Sequence, residues 1–248
     1  MKTPFMITCA LNFSLVSFSQ AKIQPDTSNG YVRWTVPPGK QHHITWPNGT
    51  QIWLNNESSV WYPLNSSDPL DLEIKGEGYL ELPEGDSLVL RIHQHEGNYH
   101  ELTIHATGAQ FHVTAYEDEE TITTSVFKGQ ISLETGIAFH DTLMAGQQAF
   151  TIKRRTGIRN MSEGERDELL AWMKGLFVFH CAHFSEVLRC YARWYNFQLE
   201  IEGNPNLNHL YDALLSNKTP VSHQLEMLEW KLDDVHFYLD GSKVIVTK

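Results

Sequence analysis

The sequence predicts a mainly β protein followed by a smaller α+β domain, and two observations support this prediction. Between residues 31 and 155, short runs alternate apolar with polar residues and are separated by glycines. Beyond residue 155 the apolar period changes to that of amphipathic helices, which alternate with short strands. The first region is therefore expected to form a sandwich, barrel or β-solenoid, and the second to pack two helices on one face of a sheet.

Within residues 31–155, the turn dipeptide Asn48-Gly49 precedes two short apolar runs that a polar turn separates. This pattern is typical of a β-hairpin. Period-2 alternation predicts further strands at residues 71–74, 87–92 and 101–104. The acidic residues 117–120 are expected to form a solvated hairpin tip.

A helical linker is predicted at residues 156–174, because Ser162 fits an N-cap before an acidic first turn and Gly175 ends the pattern. Residues 175–248 predict a domain of order β-α-β, β-α-β-β. Its strands are expected at residues 176–179, 197–201, 209–215, 235–239 and 243–247, and its helices at residues 184–195 and 220–230.

Residues 1–21 are predicted to be a signal peptide or the remnant of a membrane segment. One early cation precedes an apolar run, and Ser19-Gln20-Ala21 fits the small-x-small rule for cleavage after Ala21. The run from Phe5 to Phe18 is shorter than the about 20 residues that a membrane helix needs. We therefore expect export, with membrane attachment only if this segment is an uncleaved anchor.

Composition limits the partners of the chain. Its 248 residues, 41% of them hydrophobic, suffice for one large or two modest domains with packed cores. The formal net charge is −11. An acidic surface repels phosphate backbones, so a nucleic-acid partner is not expected.

Cysteine and histidine patterns indicate neither a disulfide nor a metal site. Nine helical residues separate Cys181 from Cys190, or roughly 13 Å, well beyond the roughly 7 Å that a disulfide allows. Histidines fall on neighbouring predicted strands without a zinc motif, and the segment His180-Cys181-Ala182-His183 is not expected to supply a ligand pair. We therefore predict no metal and no cofactor. The strand histidines are His93, His95, His100, His105 and His112.

Enzyme activity is not expected, because the sequence contains no nucleophile elbow, cysteine–histidine signature, phosphate-binding loop or dinucleotide fingerprint. Glu77, Glu81 and Glu84 raise the alternative of glycosidase carboxylates, but their alternation indicates a solvated strand face. A further alternative is a secreted carbohydrate-binding or adhesion β-protein with a tryptophan-lined sugar platform. Its tryptophans would be Trp34, Trp46, Trp53 and Trp61.

Seven segments, in one order along the chain, resemble motifs of FecR-type anti-sigma regulators. For example, Leu143-Met144-Ala145-Gly146-Gln147-Gln148-Ala149 is similar to the family's Leu-x-Pro-Gly-Gln-x-Ala, and Ala171-Trp172-Met173-Lys174-Gly175 to its Ala-Trp-x-x-Gly. The segments are residues 46–63, 76–82, 107–116, 123–133, 143–149, 171–179 and 186–197.

The resemblance implies an all-β FecR periplasmic domain at residues 31–155 and a FecR C-terminal domain at residues 175–248. The latter resembles the short N-terminal domain of secretins and TonB-dependent proteins. Family members, of which the Bacteroidetes type is most similar, bind a sigma factor through an N-terminal cytoplasmic domain. Their C-terminal domain docks the signalling domain of an outer-membrane TonB-dependent transporter. The chain is therefore expected in the periplasm. It is not expected to bind the sigma factor directly, because the sequence has no room for a sigma-binding domain upstream of Phe5.

Two sets of site residues follow from the resemblance. Some members cleave themselves at a Gly-Thr bond, but this sequence has Gly108-Ala109 and lacks the nucleophilic hydroxyl, so the chain is expected to stay uncut. Partner docking is expected at strand edges in residues 197–201 and 209–215. The predicted contacts, whose alternative role is core packing, are Phe197, Leu199, Leu210 and Tyr211.

Overall fold

The computed structural model describes residues 23–65, 70–93, 102–135, 139–153, 155–232 and 235–248. The predicted signal peptide, residues 1–21, lies outside these ranges, as do His95 and His100. In the described ranges, no helix combines the length and the apolar character that a bilayer crossing needs. Buried apolar side chains form two separate cores, one before residue 150 and one after residue 176.

Strands of the first domain alternate buried with exposed side chains, as period-2 sequence patterns require. These strands are β1 (Asp26–Ser28), β2 (Tyr31–Thr35), β3 (His42–Thr45), β4 (Gln51–Leu54), β5 (Ser59–Pro63), β6 (Leu70–Glu81), β7 (Ser87–Ile92), β8 (Leu102–Thr107), β9 (Gln110–Ala115), β10 (Ile122–Lys128), β11 (Gln130–Thr135), β12 (Phe139–Met144), β13 (Gln147–Ile152) and β14 (Arg155–Asn160).

The strands pair into two layers that share the long strand β6. One layer has the order β12-β11-β8-β7-β6-β5-β2-β1, and the other β3-β4-β6-β9-β10-β13-β14. Strand β6 runs parallel to β7 and antiparallel to its other partners. The prediction of an all-β first domain is therefore confirmed.

Gly76 is the point at which β6 passes from one layer to the other. Lys75 still pairs with β5, whereas Gly76 already pairs with Ala115 of β9. Gly76 has φ 87°, and a Cβ there would lie 2.8 Å from the Ser58 Cα. Only glycine fits both the left-handed backbone and this close approach.

The predicted hairpin between the two apolar runs after Asn48-Gly49 is wrong. Strand β4 pairs with β3 and β6, whereas β5 pairs with β2 and β6, so the two runs lie in different layers. The Asn48-Gly49 turn instead joins β3 to β4, with Asn48 Oδ1 accepting a hydrogen bond from the Thr50 amide at 3.1 Å. The buried side chain of Ser58 lies in the connection that carries the chain between layers.

The connection between domains differs from the predicted helical linker at residues 156–174. Strand β14 pairs with β13 through Asn160, which extends the first domain beyond residue 155. Helix α1 (Glu165–Leu169) and a 3-10 turn (Ala171–Lys174) follow. The N-cap of α1 is Gly164, and Ser162 instead donates its amide and hydroxyl to the Glu165 carboxylate at 2.9 and 3.0 Å.

The second domain has the predicted element order. Strand β15 pairs antiparallel with β17, and β16, β19 and β18 form a further sheet in which β16 is parallel to β19. Its helices pack buried residues such as Leu188, Tyr191 and Leu228 into the second core. The elements are β15 (Leu176–His183), α2 (Phe184–Tyr195), β16 (Gln198–Ile201), β17 (Leu210–Ser216), α3 (Val221–Glu229), β18 (His236–Asp240) and β19 (Lys243–Thr247).

Candidate interaction surface and interdomain joint

Arg193 of helix α2 joins the two domains through the turn between β9 and β10. Its guanidinium donates to both Asp118 carboxylate oxygens at 2.7 Å and to Glu119 Oε1 at 2.8 Å. The same group lies 4.0 Å from the ring centroid of Tyr116. The Arg193 side chain is only 13% exposed, so these charge-assisted bonds act in a largely desolvated place. The acidic turn is solvated as predicted at residues 117, 118 and 120, which are exposed, but it also makes an interdomain contact that the sequence did not predict.

Burial sets the electrostatics of this joint. It raises the pKa of the Glu119 carboxyl above its ordinary value, although the Arg193 charge opposes the shift. Burial also raises the pKa of the Tyr116 phenol well above its ordinary value, with the Glu77 charge adding to the effect. The Tyr116 hydroxyl donates to the Asn56 carbonyl at 2.9 Å. The phenol therefore stays neutral and holds the ring under the guanidinium.

A buried polar network surrounds Glu77 on the first-domain side of the joint. The Glu77 carboxylate accepts from Asn55 Nδ2 at 2.7 Å and from His112 Nε2 at 2.9 Å, and its amide donates to the Ser58 hydroxyl at 2.8 Å. Gln41 Nε2 donates across the joint to the Trp172 carbonyl at 2.6 Å. Hydrogen bonds as well as ion pairs thus fix the orientation of the second domain.

A cavity of about 200 Å³ lies between this network and the second core. Three buried polar atoms of its lining residues have no protein partner: His112 Nδ1, Asn56 Nδ2 and Trp172 Nε1. The cavity belongs to both domains. Its first-domain residues include Gln41, Asn55, Asn56, Glu77 and His112. Trp172 of the connecting 3-10 turn also lines it, together with Phe177, Phe179, Cys190 and Trp194 of the second domain.

Most of the large apolar side chains that the structure exposes lie in the second domain. Leu210 and Leu214 are 57% and 68% exposed, and their spacing puts them on one face of β17. Trp230, just after α3, is 89% exposed. In the first domain the exposed set is smaller and scattered along the chain. The remaining exposed apolar residues of the second domain are Ile201, Tyr238 and Leu239.

The four predicted partner contacts occupy different environments. Leu210 is exposed on β17, whereas Tyr211 is buried between Phe179 and Phe184. Phe197 and Leu199 are partly buried against the second core. Of the four, only Leu210 is presented for contact, and the alternation of β17 explains why its neighbour points inward. Leu214 shares the exposed face and was missed, although the same period-2 spacing indicates it.

Gly108 and Ala109 form the turn between β8 and β9. Gly108 has φ 56°, and Ala109 is fully buried with its carbonyl accepting from the Leu82 amide at 2.9 Å. A methyl group stands where a hydroxyl nucleophile would be needed, so the expectation of an uncut chain remains a prediction.

The strand histidines that the structure describes each contact a glutamate. His93 lies 2.6 Å from Glu73, His105 lies 3.3 Å from Glu134, and His112 bonds to the network described above. In the described ranges, a cluster of one histidine, one cysteine and one aspartate lies on β15 and β17, at residues 180, 181 and 212.

The four tryptophans considered for a sugar platform contact other side chains of the first domain. Trp34 stacks on His42, Trp53 on His43, and the Arg33 guanidinium lies over Trp61. Trp46 meets the ring of Tyr62 edge-on. These contacts favour a packing role over a shared open platform.

Comparison with known proteins adds a family and a fold. Residues 176–246 match the family described as FecR, C-terminal. Two crystal structures of a candidate anti-sigma factor from Parabacteroides distasonis ATCC 8503 share the architecture. The first has a TM-score of 0.73 and 20% identity, covering 87% of this chain and 98% of that one. The second has a TM-score of 0.73 and 19% identity, covering 88% and 99%. A search of curated proteins returns no match.

The described residues form a β sandwich tied to a small α+β domain that has exposed strand edges. The family match concerns the second domain: residues 176–246 are similar to the FecR C-terminal domain. At 20% identity the solved structures establish the shared fold. The resemblance inferred from the sequence motifs is thereby confirmed.

Proposed function

We propose that this chain is a non-enzymatic periplasmic signalling protein of FecR type. It relays the state of an outer-membrane TonB-dependent transporter to sigma-factor regulation through protein–protein contact. The signalling domain of the transporter is the direct partner.

The observation that carries this proposal is the exposed apolar face of β17. Leu210 and Leu214 project from a strand whose pairing, among the described residues, is with β15 alone. A strand with a free edge and apolar side chains on one face can accept a partner strand, because backbone bonds give affinity and side-chain pockets give specificity.

The interdomain joint supports relay rather than simple tethering. Arg193, Gln41 and their acceptors hold the FecR C-terminal domain in one orientation on the β sandwich. Strand β15 pairs with β17 on one side, and its residues Phe177 and Phe179 line the interdomain cavity. A partner on β17 is therefore one strand away from the first domain.

The proposal is tested by calorimetric titration of the intact chain with the isolated signalling domain of the transporter encoded nearest its gene. We expect saturable micromolar binding that Leu214→Asp abolishes, because a carboxylate on the apolar face would be buried unpaired. Leu64→Asp is the matched control, since Leu64 is an exposed leucine of the first domain. Absence of binding to any such signalling domain, or equal binding by both variants, would contradict the proposal.

A further inference from the structure

Strand β15 contains a bulge that brings two adjacent side chains to the same place. Phe179 pairs with Ala213 and Ala182 with Tyr211, so His180 and Cys181 together stand opposite Asp212. Adjacent residues in a regular strand point to opposite faces. A bulge that places two residues against one removes this alternation and redirects a side chain. Cys181 takes up the extra length with φ 49°.

The three side chains converge. His180 Nδ1 lies 3.1 Å from Asp212 Oδ1, and the same oxygen accepts a hydrogen bond from the Cys181 amide at 3.0 Å. The potential ligand atoms of His180, Cys181 and Asp212 all lie within 4.8 Å of one another. All three residues are exposed, so no apolar barrier separates the cluster from a metal ion in solution.

We propose that His180, Cys181 and Asp212 form a zinc site with three protein ligands and an open fourth position. Thiolate, imidazole and carboxylate are the ligands that Zn²⁺ takes in proteins, whereas Mg²⁺ and Ca²⁺ prefer oxygen alone. Bonds of roughly 2.0–2.3 Å imply ligand atoms about 3.4 Å apart around a tetrahedral ion. The present separations reach that value through small rotations of exposed side chains. The hydrogen bond from the Cys181 backbone amide to the Asp212 carboxylate is an outer-shell contact that orients this ligand.

This site lies on the face of β17 that carries Leu210 and Leu214, because Asp212 shares their strand parity. The metal proposal stands on the bulge and the ligand set, and it does not depend on the transporter role. Spacing along a regular strand could not predict it, since adjacent histidine and cysteine would diverge without the bulge.

The test uses the full chain without a polyhistidine tag and Co²⁺ as a spectroscopic probe that Zn²⁺ then displaces. We expect one Co²⁺ per chain with a thiolate-to-cobalt charge-transfer band, which separates this site from the thiol-free histidines elsewhere. Cys181→Ser should remove the band, and Asp212→Asn should weaken Co²⁺ binding by at least about tenfold, since the loss of even an outer-shell partner typically costs about 10–100-fold. Cys190→Ser is the matched control, because Cys190 packs against the second core.

Two results would overturn the proposal. One is the absence of the band at saturating Co²⁺ in the parent protein. The other is a band that persists in Cys181→Ser or disappears in Cys190→Ser, which would assign the thiolate to another cysteine. Circular dichroism of each variant checks that the fold is retained, and the exposed positions of residues 181 and 212 make this the expected result.

Discussion

Replacing Arg193 by methionine should destabilise the protein by about 3 kcal/mol, because it leaves two carboxylates facing a desolvated joint. Removing one partner of a buried ion pair costs about 3–5 kcal/mol. Asp118 and Glu119 are 41% and 28% exposed, so both regain some water and the loss falls at the lower end. The lost contact with the Tyr116 ring contributes about 0.5–1 kcal/mol of this total.

The free energy of unfolding is measured by urea titration followed by circular dichroism. Arg155→Met is the control, because Arg155 is an exposed arginine of β14 and its replacement should change stability by less than about 0.5 kcal/mol. The stem length and the lost charge are the same in both variants. The difference between their free energies of unfolding therefore measures the contacts that Arg193 makes at the interdomain joint, and not the arginine-to-methionine replacement itself.

A mutant cycle makes the reasoning refutable. Because burial already raises the pKa of Glu119, its charged form is disfavoured in the fold, and Glu119→Gln alone should cost less than about 1 kcal/mol. Combining Asp118→Asn and Glu119→Gln with Arg193→Met should recover part of the loss, since no unpaired charge remains. A loss below about 1 kcal/mol for Arg193→Met, or no recovery in the triple variant, would refute this account.

Three further predictions concern the first domain and the interdomain connection. Gly76→Ala should lower the free energy of unfolding by about 3 kcal/mol, against about 1 kcal/mol for the control Gly146→Ala. Both glycines have positive φ, but only a Cβ at Gly76 would meet neighbouring backbone. Equal losses in urea titration would contradict this. Hydrogen bonds from Arg159 hold the pKa of the Glu165 carboxyl at about 2, below its ordinary value. Glu165 should therefore contribute about 1 kcal/mol to the free energy of unfolding above pH 4.5, and this contribution should be lost as the pH falls toward 2. Glu165→Gln should flatten acid unfolding in that window, and an unchanged acid limb would exclude the effect. Mass spectrometry of the purified protein should show an unbroken Gly108–Ala109 bond, and a fragment beginning at Ala109 would disprove the expectation.

Local sequence patterns predict the second domain well because its elements are short and strongly periodic. Helix α2 has the predicted bounds, since Val187, Leu188 and Tyr191 repeat at helical spacing and are buried. Strand β19 coincides with the strand predicted at residues 243–247, and it pairs with β18 across the turn dipeptide Asp240-Gly241. Here the period, the turn dipeptide and the burial pattern all agree, which is the condition under which a sequence specifies its local structure.

The same reasoning fails where two distant segments decide the outcome. The runs at β4 and β5 look like a hairpin, but each finds better partners in a different layer around β6. The interdomain contact of the acidic turn is not predicted, because its partner Arg193 lies more than seventy residues further along the chain. The cluster at His180, Cys181 and Asp212 depends on a bulge that no period reveals. Each failure concerns a long-range pairing, which a local pattern does not encode.

These long-range pairings also explain how the two domains can act as one unit. Helix α2 packs its apolar face into the second core while Arg193, on the same helix, binds the β9–β10 turn of the first domain. A displacement of β15 or β17 by the proposed partner would therefore also displace α2 and the Arg193 guanidinium that α2 carries. The charged contacts at Asp118 and Glu119 are short, and the Arg193 side chain that makes them is only 13% exposed, so they resist such movement. Arg193 therefore ties helix α2 to the acidic turn of the β sandwich, alongside the hydrogen bond of Gln41 to the Trp172 carbonyl.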